Sequence, residues 1–228
     1  DHQCAGRLDP AQHFDEHVED PAQVFDAGLD VLVEVLGGVE PARTLVVAAL
    51  ERGIPVVTAN KSLVAEHGPA LRALAASRGV AFGYEAAVVA GVPFVSALAS
   101  RPRLASVSAL TGILNGTSHF ISTALEHGGA FADALTDAQA RGYAEPDSHA
   151  DISGRDAAEK LAILLQLCGA GGAKPAQITT VGLDTIDAGD FAAARGLGGV
   201  LKPVAHAVLG GEGAGTWVGP ALVDDVHA

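Results

Sequence analysis

Methionine is absent from the 228 residues, and the chain begins at Asp1. A complete translation product starts with methionine, so the sequence reads as part of a longer protein or as a processed one. Cations are scarce. Lys and Arg number 14 against 27 Asp and Glu, for a net charge of −13, and they are scattered singly. Nucleic acids and anionic membranes both attract a basic face, so this balance argues against either as a partner. No apolar run reaches the roughly 20 residues that a bilayer requires. No charged-then-apolar leader opens the chain, so no export signal is read. Only Cys4 and Cys168 carry thiols. They are far apart in sequence and form no CxxC, so two free thiols in a reducing, cytoplasmic setting are expected. The nine histidines show no metal-ligand spacing, and His119 and His149 read as ordinary polar residues. Trp217 is the single tryptophan and reads as a packed strand residue. No GxGxxG follows a strand, and Gly198-Gly199 and Gly210-Gly211 are turn signals. No internal repeat or low-complexity linker is present.

Hydrophobic residues make up 49% of the chain, enough for a proper core. Residues 1–28 are polar and acidic, with one short helix expected around Pro21–Ala27. Asp30–Leu36 reads as a buried strand ended by Gly37-Gly38, and Ala42–Arg52 as a helix with Pro41 in its first turn. Ile54–Thr58, Ser62–Arg78 and Val80–Tyr84 continue as strand, helix and strand. This alternation predicts parallel strands joined by right-handed crossovers, half of a doubly wound sheet. Past Glu85 the texture changes. A helix is expected after Pro93, a strand over Arg103–Leu114, and helices over Thr117–His127 and Phe131–Arg141. Gly142–Ser153 reads as a loop and Arg155–Leu167 as a strong helix. The tail mixes short strands with a helix at Asp190–Arg195. The fold class is therefore α/β, a partial doubly wound parallel sheet followed by an α+β unit. The expected units are residues 1–82 and 83–228.

The most informative stretch is Gly142-Tyr-Ala-Glu-Pro-Asp-Ser-His-Ala-Asp-Ile-Ser-Gly-Arg-Asp-Ala-Ala-Glu-Lys160. It places Glu145, Asp147 and Asp151 on a loop that feeds a helix, with Asp151 or Ser153 able to cap it. Asp156 and Lys160 are then i,i+4 neighbours on one face. A lysine beside one carboxylate and facing others can act as a positioned proton donor. On spacing alone it can equally be an ordinary helix salt bridge. The apolar run that follows (Leu161, Ile163, Leu164, Leu165, Leu167) sets these charges where a helix enters a core beside a sheet edge. Clefts in α/β proteins lie at such edges.

This stretch resembles the homoserine dehydrogenase signature, Gly-Tyr-x-Glu-x-Asp-Pro-x-x-Asp-apolar-x-Gly-x-Asp-x-x-x-Lys. One fixed position departs: Ser148 stands where the family usually has proline. Other blocks keep the family's order. Val33-Glu-Val-Leu-Gly-Gly-Val-Glu-Pro41 resembles its strand and turn beside the nicotinamide. Val57-Thr-Ala-Asn-Lys61 resembles its Thr-x-Asn-Lys turn, and Gly112-Ile-Leu-Asn-Gly-Thr117 its substrate segment. Tyr84-Glu-Ala-Ala-Val-Val-Ala-Gly-Val-Pro93 resembles the segment whose main-chain oxygens hold a monovalent cation. The blocks cover roughly residues 29–209.

What the resemblance implies is an NAD(P)-dependent oxidoreductase with a partial Rossmann-like domain at 1–82 and a catalytic and dimerisation domain at 83–228. The reaction would interconvert L-aspartate 4-semialdehyde and L-homoserine, on the route to threonine and methionine. Lys160 would be the proton donor and acceptor, oriented by Asp156, which also binds substrate. Lys61 would lie between cofactor and substrate and could assist proton transfer. Glu145 and Asp151 would hold the substrate's amino end, and Thr117 and Tyr143 would contact it. Leu36, Gly37, Thr58, Lys61 and Gly142 would line the nicotinamide pocket. A lysine suits proton transfer because its ordinary pKa of roughly 10.4 falls on desolvation and rises beside carboxylates.

The implied cation site (Na+) would use main-chain oxygens of Glu85, Val88, Ala90 and Val92. Almost any side chains could supply these, so an ordinary irregular turn is the equal alternative. The family opens with a glycine-rich unit that cradles the pyrophosphate. Here the chain is expected to start after that unit and to bind cofactor weakly or not at all by itself. The tail also departs, with Lys202-Pro203 where Lys-Leu is usual. Two rival readings stand beside the enzyme: a non-catalytic dimerisation or regulatory fragment of the same fold, and another nicotinamide-dependent enzyme for an amino-acid-like substrate. A homodimer acting on a small amino-acid substrate is the expected assembly, with no nucleic-acid or membrane partner.

Overall fold

A computed structural model describes residues 21–102, 105–170, 172–210 and 215–224. Cys4, and the rest of residues 1–20, lie outside the described residues. The first part opens with a 3-10 turn at Pro21–Ala27. Strand β1 (Leu32–Glu34), helix α1 (Ala42–Glu51), strand β2 (Val56–Thr58), helix α2 (Lys61–Arg78) and strand β3 (Phe82–Gly83) follow in order. The three strands pair in parallel in the order β1-β2-β3. Alternating strand and helix leaves a parallel crossover as the short route between neighbouring strands. Helices α1 and α2 bury Val46, Leu50, Leu63 and Leu71 against Val56. Val31, Val33, Val35 and Val57 remain exposed. The ladder is shorter than the sequence pattern suggests, because hydrophobic runs extend past the residues that find hydrogen-bonding partners.

The second part begins with a 3-10 turn at Glu85–Ala87 and helix α3 (Phe94–Ala99). It continues with β4 (Ala109–Gly112), α4 (Gly116–Glu126), α5 (Phe131–Ala140), α6 (His149–Ile152) and α7 (Arg155–Leu167). Then come β5 (Thr179–Thr180), α8 (Ala188–Gly196), β6 (Gly199–Val208) and β7 (Gly215–Asp224). The sheet order is β4-β6-β7-β5, with β4-β6 and β6-β7 antiparallel and β5-β7 parallel. Two expectations need correction. The tail's short strands are instead a ten-residue pair, β6 and β7, hydrogen-bonded along their whole length. The 142–153 loop contains a helical turn, α6, held by Asp151 and Ile152 N–H groups that donate to the Ser148 carbonyl.

Helix α7 is the hub. Ala158, Leu161, Ala162 and Leu165 pack on Ala205, Ala207 and Val218 of the second sheet. Its other side, through Ile163 and Leu164, joins Val64 and Ala65 of α2 and Tyr84, Val88 and Val95 in a third cluster. Each of the buried Val, Leu and Ile side chains contributes about 1.5–3 kcal/mol by leaving water, and each Ala less. A polar contact fixes the register. Pro69 inside α2 has no N–H to offer Ala65, and the Gln166 side chain donates to that carbonyl at 2.7 Å instead. This packing sets the start of α2 beside the start of α7.

Candidate active site

Strand β2 ends at Thr58, and Asn60 caps the next helix by accepting from the Leu63 N–H at 3.0 Å. Lys61 is therefore the first helical residue, at the carboxyl end of a parallel strand, where open α/β sheets bind ligands. Helix α7 starts on Gly154, which has φ +81°, and a Cβ there would lie 3.2 Å from Val218. Neither Asp151 nor Ser153 caps this helix, contrary to the sequence expectation. The abrupt start puts Asp156 in the first turn and Lys160 in the second, facing one way.

Lys61 and Lys160 meet at Asp156. Its carboxylate lies 3.1 Å from the Lys61 Nζ through one oxygen and 2.8 Å from the Lys160 Nζ through the other. Lys160 also donates to the Leu114 carbonyl at 2.9 Å. Burial alone would raise the Asp156 pKa, but Lys160, the Asn115 amide and Lys61 hold it below the ordinary carboxylate range. Burial would lower Lys61, yet Asp156, with Glu159 and Asp151 farther off, raises it above the usual lysine value. Asp151 behaves oppositely: burial pushes its carboxyl up, and the Asn115 hydrogen bond only partly offsets this.

These groups open into a cleft of about 770 Å³ lined by Lys61, Thr117, Gly142, Tyr143, Glu145, Asp151, Asp156 and Lys160. All the expected catalytic and substrate-binding residues are thus together. Tyr143 is exposed at the rim with its ring against Phe120, and the Thr117 hydroxyl donates to the Tyr143 carbonyl. Glu145 is exposed, and Asp151 is half-buried in α6. His119, expected to be ordinary, also faces the cleft, while His149 is exposed outside it.

Leu36, Gly37 and Thr58 do not line this cleft. Leu36 and Gly37 are exposed just past β1, and nothing lies within 4 Å of where a Gly37 side chain would begin. That open glycine turn lets a flat ligand approach the backbone closely. Thr58 is fully buried, and its hydroxyl donates to Glu34. Glu34 is a site residue the sequence reading passed over. Buried at the end of β1, its carboxylate also accepts from the Leu36 N–H at 2.7 Å and from the Asn60 amide at 3.3 Å. Asn60 in turn donates to the Gly38 carbonyl at 2.6 Å. The glycine turn and the Lys61 turn are thereby tied together.

The 85–92 segment is separate. The Glu85 carboxylate accepts from the Val95 and Ser96 N–H groups at 2.8 and 3.0 Å. Its main-chain oxygen accepts from Val88, and that of Val92 from Phe94. Among the described residues, no group of three or more His, Cys, Asp or Glu could hold a metal ion. No described helix is long and apolar enough to cross a membrane.

Comparison with known proteins fits this geometry. The homoserine dehydrogenase family model matches residues 93–228, and the model for the NAD-binding domain of homoserine dehydrogenase matches residues 4–85. The chain belongs to the homoserine dehydrogenase family. It is 43% identical over 178 residues to the homoserine dehydrogenase of Lactococcus lactis, covering 78% of this chain and 42% of that protein. With the Neisseria gonorrhoeae enzyme it shares 37% over 210 residues, covering 91% and 48%. The solved homoserine dehydrogenase of Thiobacillus denitrificans superposes with a TM-score of 0.84 at 39% identity, covering 91% of this chain and 49% of that one. A hyperthermophilic archaeal homoserine dehydrogenase in complex with NADPH superposes at 0.78 with 26% identity, covering 93% and 62%. The chain spans about half the length of the curated relatives it matches. The family match reaches beyond the 29–209 blocks on both sides, and homoserine dehydrogenases are mixed α/β proteins with an NAD-binding domain, as expected.

Proposed function

We propose that the complete protein is an NAD(P)-dependent homoserine dehydrogenase that interconverts L-aspartate 4-semialdehyde and L-homoserine. The observation that carries this reading is Asp156 held between the two lysines in a cleft with further carboxylates. When bound, the cofactor supplies or accepts the hydride. The open Gly37 turn with Leu36 beside it, and Gly142 and Lys61 on the wall of the cleft, would hold the nicotinamide. Thr58 serves it from behind by holding the Glu34 network.

The chain's own residues bind, orient and move a proton. An ammonium has three N–H donors, and Asp156 and Leu114 take two from Lys160. The third serves the aldehyde oxygen as negative charge develops there, and Lys160 recovers that proton from the alcohol in the reverse direction. Asp156 orients Lys160, and Lys61 adds positive charge beside the same oxygen. Asp151 and Glu145 receive the substrate's ammonium. Thr117 and Tyr143 close the rim.

In this reading residues 1–82 belong to the NAD(P)-binding domain and 83–228 to the catalytic and dimerisation domain. The main-chain oxygens of Glu85, Val88, Ala90 and Val92 would hold Na+, a role that suits an irregular turn but leaves two of them sharing backbone hydrogen bonds. The protein would work in the cytoplasm as a homodimer. Thr111, His206 and Trp217, joined by a 2.8 Å hydrogen bond and a 5.5 Å ring contact, supply a polar-aromatic patch on the second sheet for pairing. The deciding experiment incubates the complete protein with NADPH or NADH and L-aspartate 4-semialdehyde. Homoserine should form in step with cofactor oxidation; no homoserine with either cofactor overturns the reading.

A further inference from the structure

Asn115 is the residue on which two of the cleft's carboxylates, Asp151 and Asp156, converge. It is buried at 6% exposure and caps α4. Its Oδ1 accepts from the Ser118 N–H and from the Ser118 hydroxyl, both at 2.7 Å. Its Nδ2 donates to Asp151 at 2.6 Å and to Asp156 at 2.8 Å. A primary amide offers two acceptor sites and two donors, and all four are used. The orientation is fixed by chemistry. Turned over, the carbonyl oxygen would face two carboxylates and the nitrogen would face the Ser118 N–H.

We infer that Asn115 is a positioning residue: one neutral amide holds the Asp151 and Asp156 carboxylates at a set spacing, and so fixes how far the substrate's ammonium sits from its reacting carbonyl. The inference rests on the proposed dehydrogenase reading, in which Asp151 takes the ammonium and Asp156 carries Lys160. Two carboxylates near each other repel, and the usual relief is for one to keep a proton. A protonated Asp151 would be a poor partner for an ammonium. The amide bonds both anions without contributing charge or a titrating proton. The other titratable groups around the pair are Lys61 from α2 and Lys160 from α7, with Glu145, Asp147, His119 and Tyr143 on the cleft wall. The spacing would select substrates whose amino group and aldehyde are separated by a matching length of chain.

Two substitutions separate this role from helix capping. Asn115→Asp keeps the acceptor for Ser118, and Asp caps helices about as well as Asn. It adds a third carboxyl against Asp151 and Asp156, so one of the three must hold a proton. Asn115→Ser keeps a capping oxygen and removes both donors. In the complete protein, both variants should fold with the α4 cap kept, melting below wild type because Asp151 and Asp156 lose their shared donor. The acid limb of kcat/KM for the aldehyde should move to higher pH by about one unit or more, since like charge disfavours ionisation. At neutral pH the loss should lie mainly in KM for the aldehyde, with KM for NAD(P)H unchanged. If both variants fold and keep the wild-type acid limb and KM, Asn115 is only a helix cap and the inference fails. If the wild-type protein itself forms no homoserine, the functional reading fails instead, and the two failures are distinguished by that control.

Discussion

Lys61 and Asp156 come from different halves of the chain, one from the turn after β2 and one from the first turn of α7, and meet at 3.1 Å. Packing of α2 on α7 through Val64, Ala65, Ile163 and Leu164 makes that meeting obligatory. The Lys61–Asp156–Lys160 cluster is therefore assembled from both parts of the chain, by α2 and α7, rather than carried by either. An i,i+4 salt bridge between Asp156 and Lys160 would need no third partner, so Lys61 on the same carboxylate favours the chemical role over the ordinary one.

The Lys160 ammonium is the proposed proton donor, and Lys160→Ala removes it while leaving the glycine turn and Glu34 intact. General acid-base groups contribute about 10²–10⁴ in rate. Steady-state assays of the complete protein should show kcat lower by about that factor with little change in NAD(P)H affinity. Near-wild-type turnover would move the role to Lys61.

Asp156→Asn removes the carboxylate that keeps Lys61 above the ordinary lysine range. Burial is then the larger influence, and it acts downward. The Lys61 pKa should fall, and if Lys61 must be charged for catalysis, the basic limb of the pH–rate profile should move to lower pH. Retained amide bonding to Lys160 should leave more activity than Lys160→Ala. An unmoved basic limb would remove Lys61 from the charged form of the site.

Glu34→Ala tests the link between the two turns. It strips partners from the Leu36 N–H, the Thr58 hydroxyl and the Asn60 amide. The buried Thr58 hydroxyl is the donor left unpaired, at about 1–3 kcal/mol, while the exposed Leu36 N–H can turn to water and the Asn60 amide keeps the Gly38 carbonyl. Thermal melting should fall by several degrees, and KM for NAD(P)H should rise more than KM for the aldehyde. Equal rises would mean that the glycine turn does not touch the cofactor.

Much of this site is legible in the sequence because its chemistry is packed into short stretches. Glu145, Asp151, Asp156 and Lys160 sit within one motif, and the apolar period of 155–167 predicts the helix that carries two of them. Asn115 is harder to see. It lies in the Gly112–Thr117 segment, but its partners are 36 and 41 residues away, and an Asn followed three residues later by Ser signals only a cap. Glu34 looks like a break in a buried strand; only the crossing of β1 and β2 ends shows three donors converging on it. The α6 turn and the Gly154 start were not readable, since a loop rich in Asp, Ser and Gly permits several caps and tertiary contacts choose among them. The long β6-β7 pair was obscured by Pro203 and Pro220, which face each other in register and read as strand breakers.

Asp151 offers the sharpest separation of stability from function. Its carboxyl is pushed up by burial more than the Asn115 bond brings it down. A carboxyl whose folded pKa is raised stabilises the fold when protonated, below its unfolded pKa, and that contribution is lost as pH rises through the folded value. Once ionised, the group is therefore held at a cost. Asp151→Asn relieves this while its side-chain oxygen still accepts from Asn115, so the variant should be more stable than wild type at neutral pH. The gain should shrink as pH falls toward the carboxyl's folded pKa, where wild type becomes protonated as well. Function should move the other way. A hydrogen bond to a charged group is worth about 1.5–3 kcal/mol, so KM for the aldehyde should rise by roughly 10–100-fold. Denaturant melts at two pH values and one set of initial rates check both halves. A variant that is less stable at neutral pH yet binds substrate normally would mean that Asp151 is a structural acceptor and that Glu145 alone receives the ammonium.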